Sequence, residues 1–419
     1  MAPAPPSSDL VAPFRGERYA ALERLSRVIA PPYDVIEPAD RARLAALDEH
    51  NIVHVMLPEA PPGKPPDDRY QWAADRLVAW RRKGVLVRDR EPALYVLAQV
   101  FTLPTGERRT RRGVFAAVAA EGYDRRRIRP HERTHAGPKA DRLALLRATA
   151  TNIESIFLIA PDPDGGLANA VAAVAQGAPD ATAELDGVGI RVWKVQGEAL
   201  SRFSFPESPL YIADGHHRYE TASAYAQENP AADRVLALIV SARDPGLAVL
   251  PTHRVIFGAG RELERLLTRW RQWFEVQSVP PNVDPTKHLA MLGRDRTACL
   301  VADAKRVIAL VLREGVLPDR LPNLAQSTAV RDLDIARIES LVVKELLGAA
   351  TSTPIERYVA DAREALDAVQ RGGAAAAVLL NPTRVEQVFA VADAGDVMPP
   401  KSTYFVPKVP SGLVLRPLA

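Results

Sequence analysis

The apolar residues of this chain occur in short runs, and these runs constrain its fold more than any other sequence feature. The longest, near Val235–Ala242 and Ala374–Leu380, have the length of a β-strand, whereas a membrane-spanning helix needs about 18 or more apolar residues in succession. Segments with helical periodicity alternate with these runs, as in Tyr70–Lys83, where apolar residues recur every three or four positions. Strands interleaved with helices predict a mixed α/β (α+β) fold with mixed sheets.

Length and charge narrow the class of protein. A chain of 419 residues predicts two or three domains, at a prior of about 150 residues each. The 54 Lys and Arg residues nearly balance 51 Asp and Glu residues, for a net charge of +3, which argues against nucleic acid as a partner. The single cysteine, Cys299, excludes an internal disulfide and any multi-cysteine zinc site. The first ten residues lack the features of a signal peptide, and we expect a soluble, cytoplasmic protein without a membrane partner.

Turn-forming residues divide the chain into four predicted regions. Residues 1–12 are expected to be a disordered tail, and residues 13–160 an N-terminal α/β region. A central region follows over residues 161–258, and a C-terminal α/β region over residues 259–419. The boundary near residue 160 rests on the turn-rich segment Pro161–Gly166. The sequence gives no prediction of the oligomeric state.

The most informative segment is YIADGHHRYETA, Tyr211–Ala222. An apolar strand should end at Asp214, Gly215 permits a tight turn, and the residues from His216 to Arg218 should begin a helix. The free N–H groups and the dipole of a helix N-terminus favour anions, and a guanidinium group suits phosphate oxygens. The segment therefore predicts a phosphate-binding turn. One alternative is a helix capped by Asp214 with two surface histidines. Another is a metal ion bound by both neighbouring histidines, which would require these two residues to lie in a loop rather than in a helix.

A second polar segment contains HERTH, His131–His135, which matches the zinc-protease pattern. That pattern requires both histidines on one continuous helix, but Pro130 precedes the segment and Gly137-Pro138 follows it. We therefore interpret the segment as a polar loop. Its carboxylate, Glu132, is a candidate general base, a role worth about 10²–10⁴ in rate. The alternative is that Glu132 only pairs with a neighbouring arginine.

Further cations and hydroxyls are candidates for the same site. Thr134 and Lys139 lie beside Glu132 in the sequence. His253 and Arg254 end an apolar strand and could add positive charge. Lys401 and Thr403 lie in the segment MPPKSTYF, which could form a lid or a substrate-binding edge; the alternative for these residues is a structural role.

Several motifs in one order give the chain a family resemblance. They are PPYDVI (31–36), RPHERT (129–134), GPKADRLALLRAT (137–149), ADGHHRYETA (213–222), LPTHR (250–254), LLNPTRVEQV (379–388) and MPPKSTYF (398–405). With them the chain resembles the bacterial and archaeal family known as domain of unknown function 1015, from about Pro13 to Pro417. That family carries no assigned activity.

PHERT and DGHHR also resemble, more distantly, the motifs of free-serine kinases with the ParB/sulfiredoxin fold. The resemblance implies a nucleotide-binding core of that fold around the strand–DGHHR–helix unit, with ATP or ADP and Mg²⁺ as cofactors. It implies that Glu132 deprotonates a substrate hydroxyl and that Asp214 assists through Mg²⁺ or substrate contacts. His217 is a third predicted catalytic residue, besides Glu132 and Asp214.

The same resemblance implies that Gly215, His216 and Arg218 hold phosphate, together with His217. His131 and Thr134 would complete the PHERT loop. The sulfiredoxin cysteine position holds His216 here, which argues against sulfinic-acid repair.

Three hypotheses follow. The first is a phosphotransferase acting between a nucleotide and a small hydroxyl metabolite such as serine or phosphoserine. The second is a nucleotide-binding regulator of the ParB kind without catalysis, although no clear helix-turn-helix accompanies the turn. The third is a metallohydrolase that uses the histidine cluster.

Overall fold

The computed structural model describes residues 10–60, 62–205, 207, 209–257, 263–316, 327–347 and 356–418. The chain forms two compact units. The first unit comprises residues 1–247 and 407–419, and the second unit comprises residues 248–406. The second unit is therefore inserted into the chain of the first.

The first unit contains twelve strands before the insertion. In chain order they are β1 (Val11–Ala12), β2 (Glu17–Tyr19), β3 (Leu86–Arg88), β4 (Ala93–Thr102), β5 (Arg108–Ala119), β6 (Ile128–Arg129), β7 (Thr151–Asn152), β8 (Ile156–Ala160), β9 (Ala181–Leu185), β10 (Val188–Gln196), β11 (Leu210–Asp214) and β12 (Arg234–Ser241). Its α-helices among the described residues are α1 (Leu25–Val28), α2 (Pro38–Leu47), α3 (Val53–Met56), α4 (Asp68–Arg82), α5 (Ala136–Thr149), α6 (Gly166–Val174) and α7 (His216–Glu228).

Nine of these strands form one mixed sheet in the order β6-β11-β8-β12-β5-β4-β10-β9, with β1 paired to β5. The pairs β6–β11 and β8–β12 are parallel, and the others are antiparallel. The predicted mixed α/β fold with mixed sheets is confirmed.

Apolar side chains on one face of this sheet form the core of the first unit. Val96 of β4, Val114 of β5 and Ile239 of β12 are fully buried there. The same cluster takes in Leu167 of α6 and Tyr219 of α7, so both helices pack on this face. The packing fixes α7, and hence the turn before it, against the sheet.

The second unit has its own sheet and core. Its strands are β13 (Ala248–Leu250), β14 (His253–Ile256), β15 (Phe274–Ser278), β16 (Ala298–Ala302), β17 (Val307–Leu312), β18 (Glu356–Val359), β19 (Ala376–Leu380) and β20 (Tyr404–Val406). Its helices among the described residues are α8 (Leu263–Trp270), α9 (Pro285–Leu292), α10 (Thr328–Arg331), α11 (Asp334–Ile338), α12 (Lys344–Leu347), α13 (Ala362–Gln370) and α14 (Val385–Asp393). Six strands form an antiparallel sheet in the order β15-β17-β16-β19-β14-β18, and β13 pairs with β20.

The chain returns to the first unit after the insertion. Its last strand, β21 (Arg416–Pro417), pairs antiparallel with β7. Between Pro407 and β21 the backbone makes hydrogen bonds with Ala30 and Glu17. The segment from residue 407 to residue 418 is therefore an integral part of the first unit.

The unit boundaries differ from the predicted regions. Pro161–Gly166 does not separate two units, because β8 before it pairs with β11 and β12 after it. The predicted tail reaches residue 12, but Val11 and Ala12 pair with β5; residues 1–9 lie outside the described residues.

Three segments show local irregularities. Strands β13 and β14 are separated at Pro251, which has no N–H to donate to a ladder. Helix α5 contains Pro138 in its first turn, where a helix tolerates proline. A π-helical segment, Glu339–Val343, lies between α11 and α12.

Candidate functional site

The turn that the sequence predicts to bind phosphate lies between the end of β11 and the start of α7. Gly215 lies between them with φ +90°, in the left-handed region that favours glycine. A Cβ atom at this position would lie 3.0–3.2 Å from atoms of the Arg218 guanidinium group. Both the backbone conformation and the close approach of Arg218 therefore require glycine.

A β-bulge precedes the turn and determines which face of the sheet Asp214 occupies. The register of β11 against β8 shifts between Ile212 and Asp214, so that Asp214 pairs with Phe157. Bulges commonly redirect side chains next to functional sites. Without the shift Asp214 would share the face of Ile212, which belongs to the hydrophobic core.

The PHERT loop lies against this turn although 82 residues separate Glu132 from Asp214 in the sequence. The parallel pairing of β6 with β11 places the chain after Arg129 beside the end of β11. The backbone N–H of His131 then donates to Nε2 of His216 over 3.3 Å. The N–H of His135 donates to Nε2 of His217 over 2.8 Å. The loop that contains Glu132 is thus hydrogen-bonded to α7 at both ends.

These contacts require Nε2 of His216 and of His217 to carry no proton, because each of these nitrogens accepts a hydrogen bond. Burial lowers the pKa of His216 well below its usual value, and the nearby ring of His131 adds to the effect. Burial also lowers the pKa of His131 to about 4. For His217, burial and then His135 lower the pKa. The histidines therefore provide hydrogen-bonding groups rather than positive charge at neutral pH.

Asp214 is held by two cations. Its Oδ1 accepts from Nζ of Lys408 over 2.6 Å, and its Oδ2 accepts from Arg218 over 2.5 Å. Burial would raise the pKa of Asp214, but Lys408 and Arg218 together hold it well below its usual value. With both oxygens paired, Asp214 is placed to orient these cations, which differs from the role in Mg²⁺ binding that the resemblance implies.

Arg218 is buried beneath the turn and anchored on several sides. Its guanidinium group also donates to the carbonyl oxygen of Ser155. Burial disfavours its charge, but Asp214, Glu154 and Asp34, in decreasing order, raise its pKa. Arg218 consequently remains charged and rigidly positioned.

The PPYDVI loop contributes to the same region. The Tyr33 N–H donates to Glu154 over 3.0 Å, and the Arg142 guanidinium group lies 4.3 Å from the centre of the Tyr33 ring. Burial raises the pKa of Tyr33 to about 12. The exposed carboxylate of Asp34 lies close enough to Arg218 and His217 to affect the pKa of both.

Glu220, on the next turn of α7, connects the PHERT loop to α5. Its Oε2 accepts from Oγ1 of Thr134 over 2.7 Å and from Nζ of Lys139 over 2.9 Å. The two predicted phosphate ligands Thr134 and Lys139 therefore lie at this site, and both are paired with a carboxylate that the sequence analysis did not single out.

A buried polar chain continues from Lys408 into the sheet. The Lys408 carbonyl oxygen accepts from Gln99 over 2.9 Å, and Gln99 in turn accepts from Arg111. The Arg111 guanidinium group is 1% exposed and lies 4.6 Å from the centre of the Phe157 ring. Burial lowers the pKa of Arg111 to about 9.

Four predicted site residues belong to the second unit. Buried Arg254 donates to the carbonyl oxygens of Thr252, Pro400 and Lys401, and Nδ1 of buried His253 accepts from the N–H of Leu380. These hydrogen bonds connect strand ends to loops within the second unit. The Lys401 side chain is exposed, and Thr403 is half-buried. Whether these four residues act in a site stays a prediction.

The HERTH segment has no helical conformation between His131 and His135. The geometry that the zinc-protease pattern requires is therefore absent from these described residues. Among the described residues, no group of three or more His, Cys, Asp or Glu side chains is arranged to hold a metal ion. Nor does any helix in the described ranges have the length and apolar character to cross a membrane.

Sequence reasoning missed Lys408, Glu220 and Glu154. Lys408 had a usable signal, because it is the single charged residue in the apolar stretch from 402 to 415. A lone lysine in such a stretch is a candidate for a buried ion pair. Glu220 and Glu154 carry no comparable pattern.

The amino-acid sequence places the chain in a known family. Residues 11–336 match the family described as "Protein of unknown function (DUF1015)", and the chain belongs to that family. The motifs after residue 336 lie beyond the matched range. No curated protein matches the sequence.

Among solved structures, similar chains include a free serine kinase in complex with AMP, at 13% identity and TM-score 0.37, covering 70% of this chain and 87% of that one. A conserved hypothetical protein from Pyrococcus furiosus has 14% identity and TM-score 0.34, covering 71% and 93%. SbnI with a C-terminal truncation, from Staphylococcus aureus, has 11% identity and TM-score 0.34, covering 72% and 81%.

Proposed function

We propose that the protein is a nucleotide-dependent phosphotransferase that acts on a small hydroxyl metabolite of the serine or phosphoserine type. In this proposal β11, the Gly215 turn and α7 form a nucleotide-binding core like that of the ParB/sulfiredoxin fold. ATP or ADP is the nucleotide. The observation that supports the proposal is the pair of hydrogen bonds from His131 to His216 and from His135 to His217, because the loop that contains Glu132 is thereby bonded to the start of α7.

The phosphate groups would bind at the N-terminus of α7. The free N–H groups there point toward a ligand, and the helix dipole favours negative charge by about 0.3–1 kcal/mol. Lys139 and Lys408 supply positive charge within the same region. The neutral histidines His216 and His217 would contribute hydrogen bonds through their Nδ1 atoms.

Glu132 would act as the general base. The acceptor hydroxyl oxygen attacks the terminal phosphorus of the nucleoside triphosphate and forms a new P–O bond. The bond from that phosphorus to the bridging oxygen breaks, and the nucleoside diphosphate leaves with the electron pair. The hydroxyl proton passes to the Glu132 carboxylate. Such chemistry depends mostly on positioning and on charge neutralisation.

Mg²⁺ would enter as part of the substrate, bound to the phosphate oxygens. The structure does not fit a dedicated Mg²⁺ site on Asp214, because both of its oxygens are ion-paired. In this proposal the nucleotide phosphates, and not the protein, hold Mg²⁺.

The test is phosphate exchange by the purified protein. With Mg²⁺, ATP and serine, or with ADP and phosphoserine, the protein should transfer phosphate. Glu132→Gln should lower turnover about 10²-fold or more, since the amide cannot accept the proton. Nucleotide affinity, measured by calorimetry, should stay within about twofold, because the loss falls on the chemical step.

Glu49→Gln provides a matched control, because Glu49 is 81% exposed and the substitution is chemically identical. It should leave turnover unchanged. Nucleotide binding without turnover on any small hydroxyl compound would contradict the transferase proposal and favour a regulator. Stoichiometric zinc with chelator-sensitive hydrolysis would favour the metallohydrolase.

A further inference from the structure

An open groove runs between α5 and α7 and begins at the Lys139–Glu220 ion pair. Its volume is about 520 Å³, and its walls are formed by α5, α7 and the segment 121–123. This volume lies in the range of small-molecule sites, about 300–1,000 Å³. The groove and the proposed phosphate site belong to the same unit and share Lys139 and Glu220.

Small side chains explain why the two helices leave this space. Ala140 of α5 and Ala224 of α7 line the groove, and Gly122 lines it on the third side. Ala140 is exposed and Ala224 is half-buried. Leu143 and Tyr123 add apolar surface, and the Tyr123 ring stacks on Tyr219 with centroids 5.5 Å apart.

Two hydroxyl oxygens next to the groove are buried: Oγ1 of Thr221, a residue that is 4% exposed, and Oη of Tyr123. Burial, followed by the charge of Glu220, raises the pKa of Tyr123, so this phenol stays protonated beside the Glu220 carboxylate. Because both oxygens are buried, the surface that a ligand would meet between the helices includes the apolar side chains of Ala140, Leu143 and Ala224. A ligand with a flat apolar face would fit this surface.

The position of the groove along α7 limits what such a ligand can be. Helix α7 rises about 1.5 Å per residue, so Glu220 and Ala224 lie about 6 and 12 Å along the axis from His216. A molecule with phosphate at the N-terminus of α7 would extend its other end into the groove. A nucleoside attached to that phosphate has a flat base and hydroxyl-bearing sugar of suitable character.

We propose that the groove between α5 and α7 binds the nucleoside part of the nucleotide, with the base beside Tyr123 and between Ala140 and Ala224. This inference rests on the proposed function, which supplies the phosphate at the turn. It adds that affinity depends on the base and sugar and not on the phosphates alone.

The experiment compares ATP with inorganic tripolyphosphate, which has the phosphates but no nucleoside. The wild-type protein should bind ATP at least tenfold more tightly than tripolyphosphate by calorimetry. Ala224→Phe, which fills the groove, should weaken ATP binding at least tenfold and change tripolyphosphate binding less than twofold. Ala140→Phe fills the groove from the opposite wall and should have the same effect. With two variants, the conclusion does not depend on the correct folding of one of them.

Ala42→Phe is the matched control, since Ala42 is exposed on α2 outside the groove; it should change neither affinity. If the wild type binds both ligands equally and the filling variants bind ATP normally, the groove proposal is wrong and the phosphate site stands. If neither ligand binds the wild type, the proposed function fails and the groove proposal fails with it.

Discussion

At the residue scale, the site is organised around one carboxylate. Asp214 holds Lys408 and Arg218, one on each oxygen, and Gly215 makes room for the guanidinium group of Arg218. A carboxylate paired in this way fixes the position of two cations beside the helix terminus. Its contribution to ligand binding would be indirect.

Removing Lys408 tests this arrangement. Lys408→Met should lower the free energy of unfolding by about 3 kcal/mol, the scale for breaking a largely buried ion pair, as measured by urea denaturation. Lys408→Arg keeps the charge and should recover part of the loss. In an Asp214→Asn background, Lys408→Met should lower the free energy of unfolding by clearly less. An equal cost in both backgrounds would show that the two residues are not coupled.

At the scale of elements, the site depends on strand pairing and on contacts between helices. The sequence predicted the helix over Tyr70–Lys83 and the β11–turn–α7 unit, because their periodicity and turn residues are local. It could not predict that β6, two residues long, would pair parallel with β11. That pairing brings the PHERT loop to the turn, and it depends on long-range contacts that no local pattern encodes.

The carboxylate of Glu220 provides an element-scale prediction, because it joins α7 to the PHERT loop and to α5. Glu220→Gln removes a negative charge that neutralises Lys139. Binding of ATP should therefore become severalfold tighter by calorimetry at low salt, and the gain should shrink above about 0.3 M salt as charges are screened. Unfolding free energy should fall by less than about 1 kcal/mol, since the pair is partly exposed. Weaker binding would mean that Glu220 itself contacts the ligand.

At the scale of the whole molecule, buried neutral histidines make stability depend on pH. The pKa of His131 is about 4 in the folded protein, against 6.5 for an unperturbed histidine. Between these values the unfolded chain binds a proton that folded His131 does not, so stability is full above pH 6.5 and falls as the pH decreases toward 4. His216 in the first unit and His253 in the second act in the same direction.

The expected loss from His131 alone is on the order of 3 kcal/mol, measurable by urea denaturation across this pH range. His131→Gln, which cannot titrate, should give a flatter profile. An identical slope in the variant would show that His131 does not contribute.

The insertion of residues 248–406 into the first unit has a consequence for how the protein is made. Lys408 follows its partner Asp214 by 194 residues, and the whole second unit is synthesised between them. Domains generally fold during synthesis from the N-terminus onward, so the nine-stranded sheet can form while Asp214 still lacks one of its cations. The second unit must leave the ribosome before the candidate site becomes complete. A chain cut short within the insertion would therefore carry the Gly215 turn without Lys408, and translation itself would ensure that only chains extending past residue 408 acquire the full site.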